Sequence, residues 1–150
     1  MNYWLIKSEP DCYSIDNFKK DKKASWSGVR NYQARNFMKS MKKGDLALFY
    51  HSSSNPTAVV GIAKVIKETH PDLTALDKKD DHYDAKSTKE KPIWEMVDFG
   101  FVKKFKNPVT LSQIKFNPKL KGILLAQQGS RLSVQPVSEK HFKIIKQLGD

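Results

Sequence analysis

The chain has 150 residues, with 27 Lys and Arg against 16 Asp and Glu for a net charge of +11, 39% hydrophobic residues and a single cysteine. That length suits one domain, the apolar content excludes a disordered chain, and no apolar run approaches the roughly 20 residues of a membrane-spanning helix. Cys12 alone excludes an internal disulfide or a Cys-rich zinc site, and the start MNYWLIKSEP has no secretory signal pattern, so a cytoplasmic protein is expected.

Tyr3-Trp4-Leu5-Ile6 is an apolar, β-prone run that reads as a buried strand, ended by Ser8-Glu9-Pro10-Asp11, where Pro and Asp favour a turn. Ser14 caps a short helix to Lys20 with Ile15 and Phe18 on one face. Ser25-Trp26-Ser27-Gly28-Val29-Arg30 reads as a loop. It enters a second helix capped by Asn31, in which Ala34, Phe37, Met38 and Met41 form one apolar stripe. Lys43-Gly44-Asp45 turns into a strand from Leu46 to His51, with Leu46, Leu48 and Tyr50 on one face.

After the serine-rich loop 52–56, a long strand runs from Ala58 to Lys67, and its Gly61 marks a bulge or a close backbone approach. His70 to Pro92 is polar and reads as a surface wrap. Trp94 to Phe105 is strand-like and interrupted at Gly100. Asn107-Pro108 and Asn117-Pro118 are breaks around a short helix capped by Thr110 and carrying Leu111 and Ile114. Ile123 to Ala126 is apolar without a clear type. Leu132 to Gln135 alternates like a strand that Pro136 ends. Ser138 caps a terminal helix with Phe142, Ile145 and Leu148 on one face and Gly149 past its end. The strands are too closely spaced for βαβ crossovers throughout. One α+β domain is expected, with a curved, mostly antiparallel sheet or small barrel.

The charge is spread over both halves, +5 in residues 1–75 and +6 in residues 76–150, so a folded surface carries it. A polyanion is the natural partner, against the alternative that lysines only keep the chain soluble. Catalytic motifs are sparse. His82 with Asp80, Asp81 and Asp84 is the best metal-like cluster, yet no i, i+4 histidine pair or nearby cysteine supports it. Cys12 with His51 could form a dyad, and Lys7, Glu9 and Asp11 could resemble a nuclease set, but no nucleophile elbow, two-metal site or phosphate loop is present. Neither catalysis nor a cofactor or metal is expected.

A denser constellation is Trp26 to Asn36, where an aromatic, a glycine, two arginines, amides and a tyrosine sit at a loop-to-helix junction. Trp or Tyr can stack an unpaired base, Asn can read a base edge, and Arg can hold phosphate. The competing reading makes Trp26 core and the arginines solvated. Trp4 with Lys7-Ser8-Glu9, Tyr50-His51-Ser52 and Ser130-Arg131-Leu132-Ser133 add similar pieces. Taken alone, Trp4 reads as core, Tyr50 fits either role, and Arg131 could pair with Glu9 or Asp98.

Several stretches in this order resemble the EVE domain family: Tyr3 to Pro10, Trp26 with Gly28 to Asn36, Lys43-Gly44-Asp45, Phe49 to Ser52, Val60 to Ala63, Trp94 with Val97-Asp98, Asn107 to Leu111, and Ser130 to Pro136. The resemblance covers nearly the whole chain and departs from the pattern at Ser52-Ser53-Ser54-Asn55-Pro56. It implies a fold related to PUA and YTH domains, a curved β-barrel flanked by helices over residues 1–150. It also implies a pocket for a flipped, modified base of DNA or RNA, with no catalysis or cofactor. Carried onto this sequence, the pocket comprises Trp4, Lys7, Ser8, Glu9, Trp26, Gly28, Val29, Asn31, Tyr32, Tyr50, His51, Ser52, Ser130, Arg131 and Ser133. Arg30, Arg35 and Lys39 are expected to hold phosphate. The alternatives are an RNA-binding module that reads shape without a base pocket, and an enzyme acting on a nucleotide or base.

Overall fold

The computed structural model describes residues 1–129 and 131–150. Six strands, β1 (Tyr3–Ser8), β2 (Lys23–Trp26), β3 (Leu46–His51), β4 (Ala58–Pro71), β5 (Glu95–Thr110) and β6 (Val134–Val137), form one sheet in the order β2-β5-β4-β3-β1-β6. Among the described residues only β1 and β3 run parallel, and the other ladders are antiparallel. Four α-helices accompany it: α1 (Ile15–Asp21), α2 (Tyr32–Ser40), α3 (Leu111–Phe116) and α4 (Glu139–Gly149). Among the described residues none is long and apolar enough to cross a membrane.

The β1 and β3 runs are continuously apolar because both faces of the sheet are covered. Trp4, Ile6, Ala47 and Phe49 face a core closed by Ile15 and Phe18 of α1 and Ala34 and Met38 of α2. Leu5, Leu48 and Tyr50 face a second core closed by Ile114 of α3 and by Phe142 and Ile145 of α4. The caps expected at Ser14, Asn31, Thr110 and Ser138 are all formed, each side chain accepting a backbone N–H three residues on. Gly61 is a close approach: a Cβ there would lie 2.5 Å from the Lys103 carbonyl and 2.7 Å from the Ile15 side chain.

Several expectations change. The ladders are open, with β2 and β6 as the two edges, so the expected barrel closure is not formed by the described strands. Ser25 and Trp26 belong to edge strand β2, paired with Asp98 and Val97, rather than to a loop. Neither Asn107-Pro108 nor Pro136 ends a strand. The register slips between Val59 and Gly61, so Pro108 falls where no ladder bond needs its missing N–H. Pro136 lies on edge strand β6, whose ladder is with β1. In α4 the buried positions are Phe142, Ile145 and Gly149, with Leu148 left 44% exposed. Gly149 is inside the helix, where its backbone lies against the Phe105 ring. The apolar segment after Ile123 is a 3-10 turn, Leu124–Ala126, that buries Leu125.

The polar segment after β4 does not simply wrap the surface. The Asp72 side chain is fully buried and salt-bridged to Arg30 at 3.0 Å. It also accepts from the Gly28 N–H at 2.8 Å and from the Thr74 N–H and hydroxyl at 2.9 and 2.6 Å. Arg30 continues the clasp by donating Nε and Nη2 to the His82 carbonyl at 2.9 and 2.6 Å and lying over the Trp94 ring. Burial alone would raise the Asp72 pKa. The hydrogen bonds from Thr74, Gly28 and Arg30 outweigh it and hold the carboxyl below its usual range.

Two stability outcomes follow from these contacts. Asp72→Ala strands Arg30 and the Gly28 N–H and should cost about 3–5 kcal/mol in urea unfolding. In the native protein the Asp72 contribution is present above roughly pH 4, the unfolded carboxyl range, and is lost as pH falls through the lower folded value. His51 behaves separately. Its Nε2 accepts the Ile15 N–H at 3.0 Å, which fastens the start of α1 and fixes the neutral Nδ1–H tautomer. Burial lowers its pKa, so this contribution is present above about pH 6.5 and lost as pH falls toward the folded value. His51→Gln, which keeps an acceptor without a proton to bind, should flatten that limb of the unfolding profile.

Candidate base-binding site

At the C-terminal end of β1, beside β2, lies an open cavity of about 370 Å³. The turn after β1 brings Lys7, Ser8, Glu9, Cys12 and Tyr13 to one side, and β2 brings Ala24 to Trp26 to the other. His82 closes the rim from the segment that the Asp72–Arg30 clasp holds down. The His82 ring covers Gly28 so closely that a Cβ there would lie 2.8 Å from Nε2, and Gly28 has a φ of +80°, which favours glycine.

Trp26 is both wall and core. It is 8% exposed, and its ring meets Phe49, Phe99 and Tyr13 edge-on at centroid distances of 5.6, 5.7 and 6.4 Å. The indole is therefore held in place before any ligand arrives. Tyr13 donates to Asp21 at 2.9 Å, and burial together with that carboxylate pushes its pKa up to about 12, so the phenol stays neutral. Ser8 Oγ donates to the Tyr13 carbonyl at 2.6 Å, which fixes the turn. Lys7 is half-buried, with its ammonium 5.9 Å from the Tyr50 ring centroid and no carboxylate partner among the described residues; burial lowers its pKa. Glu9 is exposed and accepts from Ser53 Oγ at 3.3 Å and from the Cys12 thiol at 3.7 Å. A polarised set results: one free ammonium and one carboxylate beside an aromatic wall.

The other expected pocket residues lie elsewhere. Trp4 is buried in the first core, with its indole N–H donated to Asp45 at 3.0 Å. Val29 and Tyr50 are buried core residues, in the first and second clusters respectively. The Asn31 side chain is engaged as the α2 cap, accepting from Ala34 N–H at 2.9 Å. Tyr32 is exposed outside the cavity, its ring tilted against Trp94 with centroids 4.9 Å apart. His51 is occupied at Ile15, while Ser52 and Ser133 contribute backbone bonds to Ser8 and Lys7. Arg131 lines a different concavity with Gln33 and Gln127, and Glu9 and Asp98 have other partners. Ser130 lies outside the described residues.

Of the cations expected to hold phosphate, Arg30 is consumed by the clasp. Arg35 donates to the Ile93 carbonyl and Asn36 and lies 5.0 Å from the Tyr32 ring centroid, so both guanidinium groups make hydrogen bonds within the chain. Of the three, Lys39 is exposed and has no ion-pair partner among the described residues. The residues the sequence did not place in the pocket are Cys12, Tyr13, Ala24, Ser25, Ser27 and His82. The only advance signal was the unusual Asp80-Asp81-His82-Asp84 cluster. It is no metal centre: among the described residues no group of three His, Cys, Asp or Glu side chains is placed to hold one.

Comparison with known proteins shows the family. The EVE domain family matches residues 2–148. Thymocyte nuclear protein 1 from Gallus gallus is 41% identical over 165 residues, spanning 97% of this chain and 68% of its own length. A crystal structure of a Pseudomonas syringae protein superposes with a TM-score of 0.95 at 47% identity, covering 99% of both chains. The human THYN1 protein, crystallised in complex with 5-methylcytosine-containing DNA, superposes with a TM-score of 0.93 at 36% identity, over 100% of this chain and 98% of that one. Matched over residues 2–148, the chain belongs to the EVE domain family.

Proposed function

We propose that this protein is a DNA-binding domain that reads a modified cytosine swung out of its strand, and that it binds without catalysis. The cavity beside β1 carries the reading. Its volume of about 370 Å³ falls in the range of small-molecule sites. Its wall is a preheld indole, and among the described residues Lys7 brings it an ammonium without an ion-pair partner and Glu9 an exposed carboxylate. Cytosine presents an exocyclic amine next to two acceptor atoms. Glu9 accepts from the amine, and Lys7 donates to the neighbouring acceptors, while Trp26 stacks on the ring. Ala24 and the indole supply apolar surface for a substituent at the 5 position. Extruding a base costs a few kcal/mol, which two charged hydrogen bonds and a stack offset. The complex of human THYN1 with 5-methylcytosine DNA supports the choice of ligand.

Glu9 is exposed, so Glu9→Gln should leave stability within about 0.5 kcal/mol while weakening binding to a 5-methylcytosine oligonucleotide by about 1–3 kcal/mol. Equal affinity of both proteins in fluorescence anisotropy would remove Glu9 from base recognition. Trp26→Ala should cost about 3–5 kcal/mol of stability as well as binding, because the ring serves both roles. A folded fraction that still binds the modified base normally would leave Trp26 a core residue only. Because Lys7 titrates below an ordinary lysine, base-specific binding should weaken on the alkaline side before the surface lysines lose charge, and Lys7→Met should abolish that limb.

A further inference from the structure

The net charge, balanced between the two halves of the chain, is uneven on a finer scale. From Phe99 to Ser138 there are seven basic residues and not one Asp or Glu. Two of the seven, Lys103 and Lys104, are paired with Asp150 and Asp16. Lys106, Lys115, Lys119, Lys121 and Arg131 have no ion-pair partner among the described residues, so this stretch is a lasting source of positive potential.

Within it, Phe116 ends α3 and is 83% exposed, the most exposed of the large apolar residues. Its ring takes part in no aromatic contact among the described residues. It borders a cavity of about 540 Å³ formed with Ser54, Pro56, Thr57, Leu111 and Lys115, which has no acidic lining residue.

That cavity is joined to the base site by the loop between β3 and β4. Ser52 N–H donates to the Ser8 carbonyl at 3.0 Å, and Ser53 Oγ donates to Glu9, both at the base cavity. Ser54 and Pro56 then line the second one. The strand register sets the span, because Ser8, His51, Ala58 and Thr110 are successive partners across β1, β3, β4 and β5. Three ladder steps of about 4.8 Å separate Ser8 from Thr110 by roughly 14 Å, and α3 starts there. At ~3.4 Å per stacked nucleotide, that is about four nucleotides along one strand.

We infer that Phe116, with Lys115 and the 52–56 loop, is a second nucleotide subsite. It stacks an unpaired base of the same strand, a few nucleotides from the base held at Lys7 and Glu9. The inference rests on the proposed DNA-binding function and extends it from one base to a strand path around this end of the sheet. Acid-free lining, an unpaired lysine and an uncovered ring match a polyanion that carries flat bases, and the 52–56 loop runs from contacts at the first cavity to the wall of the second.

The test compares two single-stranded DNA probes with a central 5-methylcytosine: a trinucleotide, too short to reach Phe116, and a strand of about a dozen nucleotides, long enough at ~3.4 Å each. The native protein should bind the longer strand more tightly. Phe116→Ala should weaken the longer strand by about five- to a hundredfold, the worth of one base–aromatic stack, and leave the trinucleotide unchanged. Phe116→Trp should retain the longer-strand affinity, and Lys115→Ala should make its log–log salt slope shallower by about 0.7. Melting of Phe116→Ala should match the native protein, as expected of an exposed ring. Unchanged affinity of Phe116→Ala for the long strand, an equal loss on both probes, or no restoration by Trp would overturn the subsite. Failure of the base-reading function shows differently: the trinucleotide would bind no better with 5-methylcytosine than with cytosine, while the Phe116 dependence on strand length would persist.

Discussion

The Asp72 carboxylate, removed from water and surrounded by N–H and O–H donors, holds together the part of the molecule on which the cavity beside β1 depends. It receives Gly28, Arg30 and Thr74. Through Arg30 it reaches the carbonyl of His82, and the same guanidinium lies over Trp94. A buried charge with its partners in place is tolerated, whereas one stripped of them is costly. The 72–94 segment is therefore locked against the β2–α2 turn, and His82 stands at the rim of the cavity. The two arginines that sequence chemistry suggests for phosphate both bond to this segment, Arg30 at Asp72 and His82 and Arg35 at the Ile93 carbonyl.

Packing on both faces of one sheet explains the rest of the site. Trp26 can be a rigid wall because Phe49 and Phe99 grip it from the sheet, and Tyr13 grips it from the turn before α1. Lys7 remains available because it stands beside Tyr50 and makes no ion pair among the described residues. The lowered pKa of that ammonium and the fixed indole express one condition: groups aimed at a ligand are partly withdrawn from water before the ligand arrives.

Much of the fold was legible from local rules. The helix starts at Ser14, Asn31, Thr110 and Ser138 follow from side chains that compete for free N–H groups, which needs only residues within one turn. The misread positions depended on distant partners. Pro108 and Pro136 look like strand ends until the bulge and the edge that excuse them are known. Gly149 looks like a stop signal until Phe105 arrives against it from β5. Of the candidate site, Lys7, Ser8, Glu9 and Trp26 were named from the sequence and do line the cavity.

Composition, charge and the ordered motifs by themselves determined a basic α+β fold, its helix caps, the strand and turn that carry Lys7, Ser8 and Glu9, and the kinship with EVE domains. Tertiary structure decided which polar and aromatic residues stay free. Trp4 is taken by Asp45, His51 by Ile15, Asn31 by its helix and Arg30 by Asp72, while His82 is delivered to the rim from more than fifty residues beyond Trp26. The physical reason is that a side chain's chemistry is written in the sequence, but its availability is set by the hydrogen-bonding partners that chain folding brings to it from elsewhere.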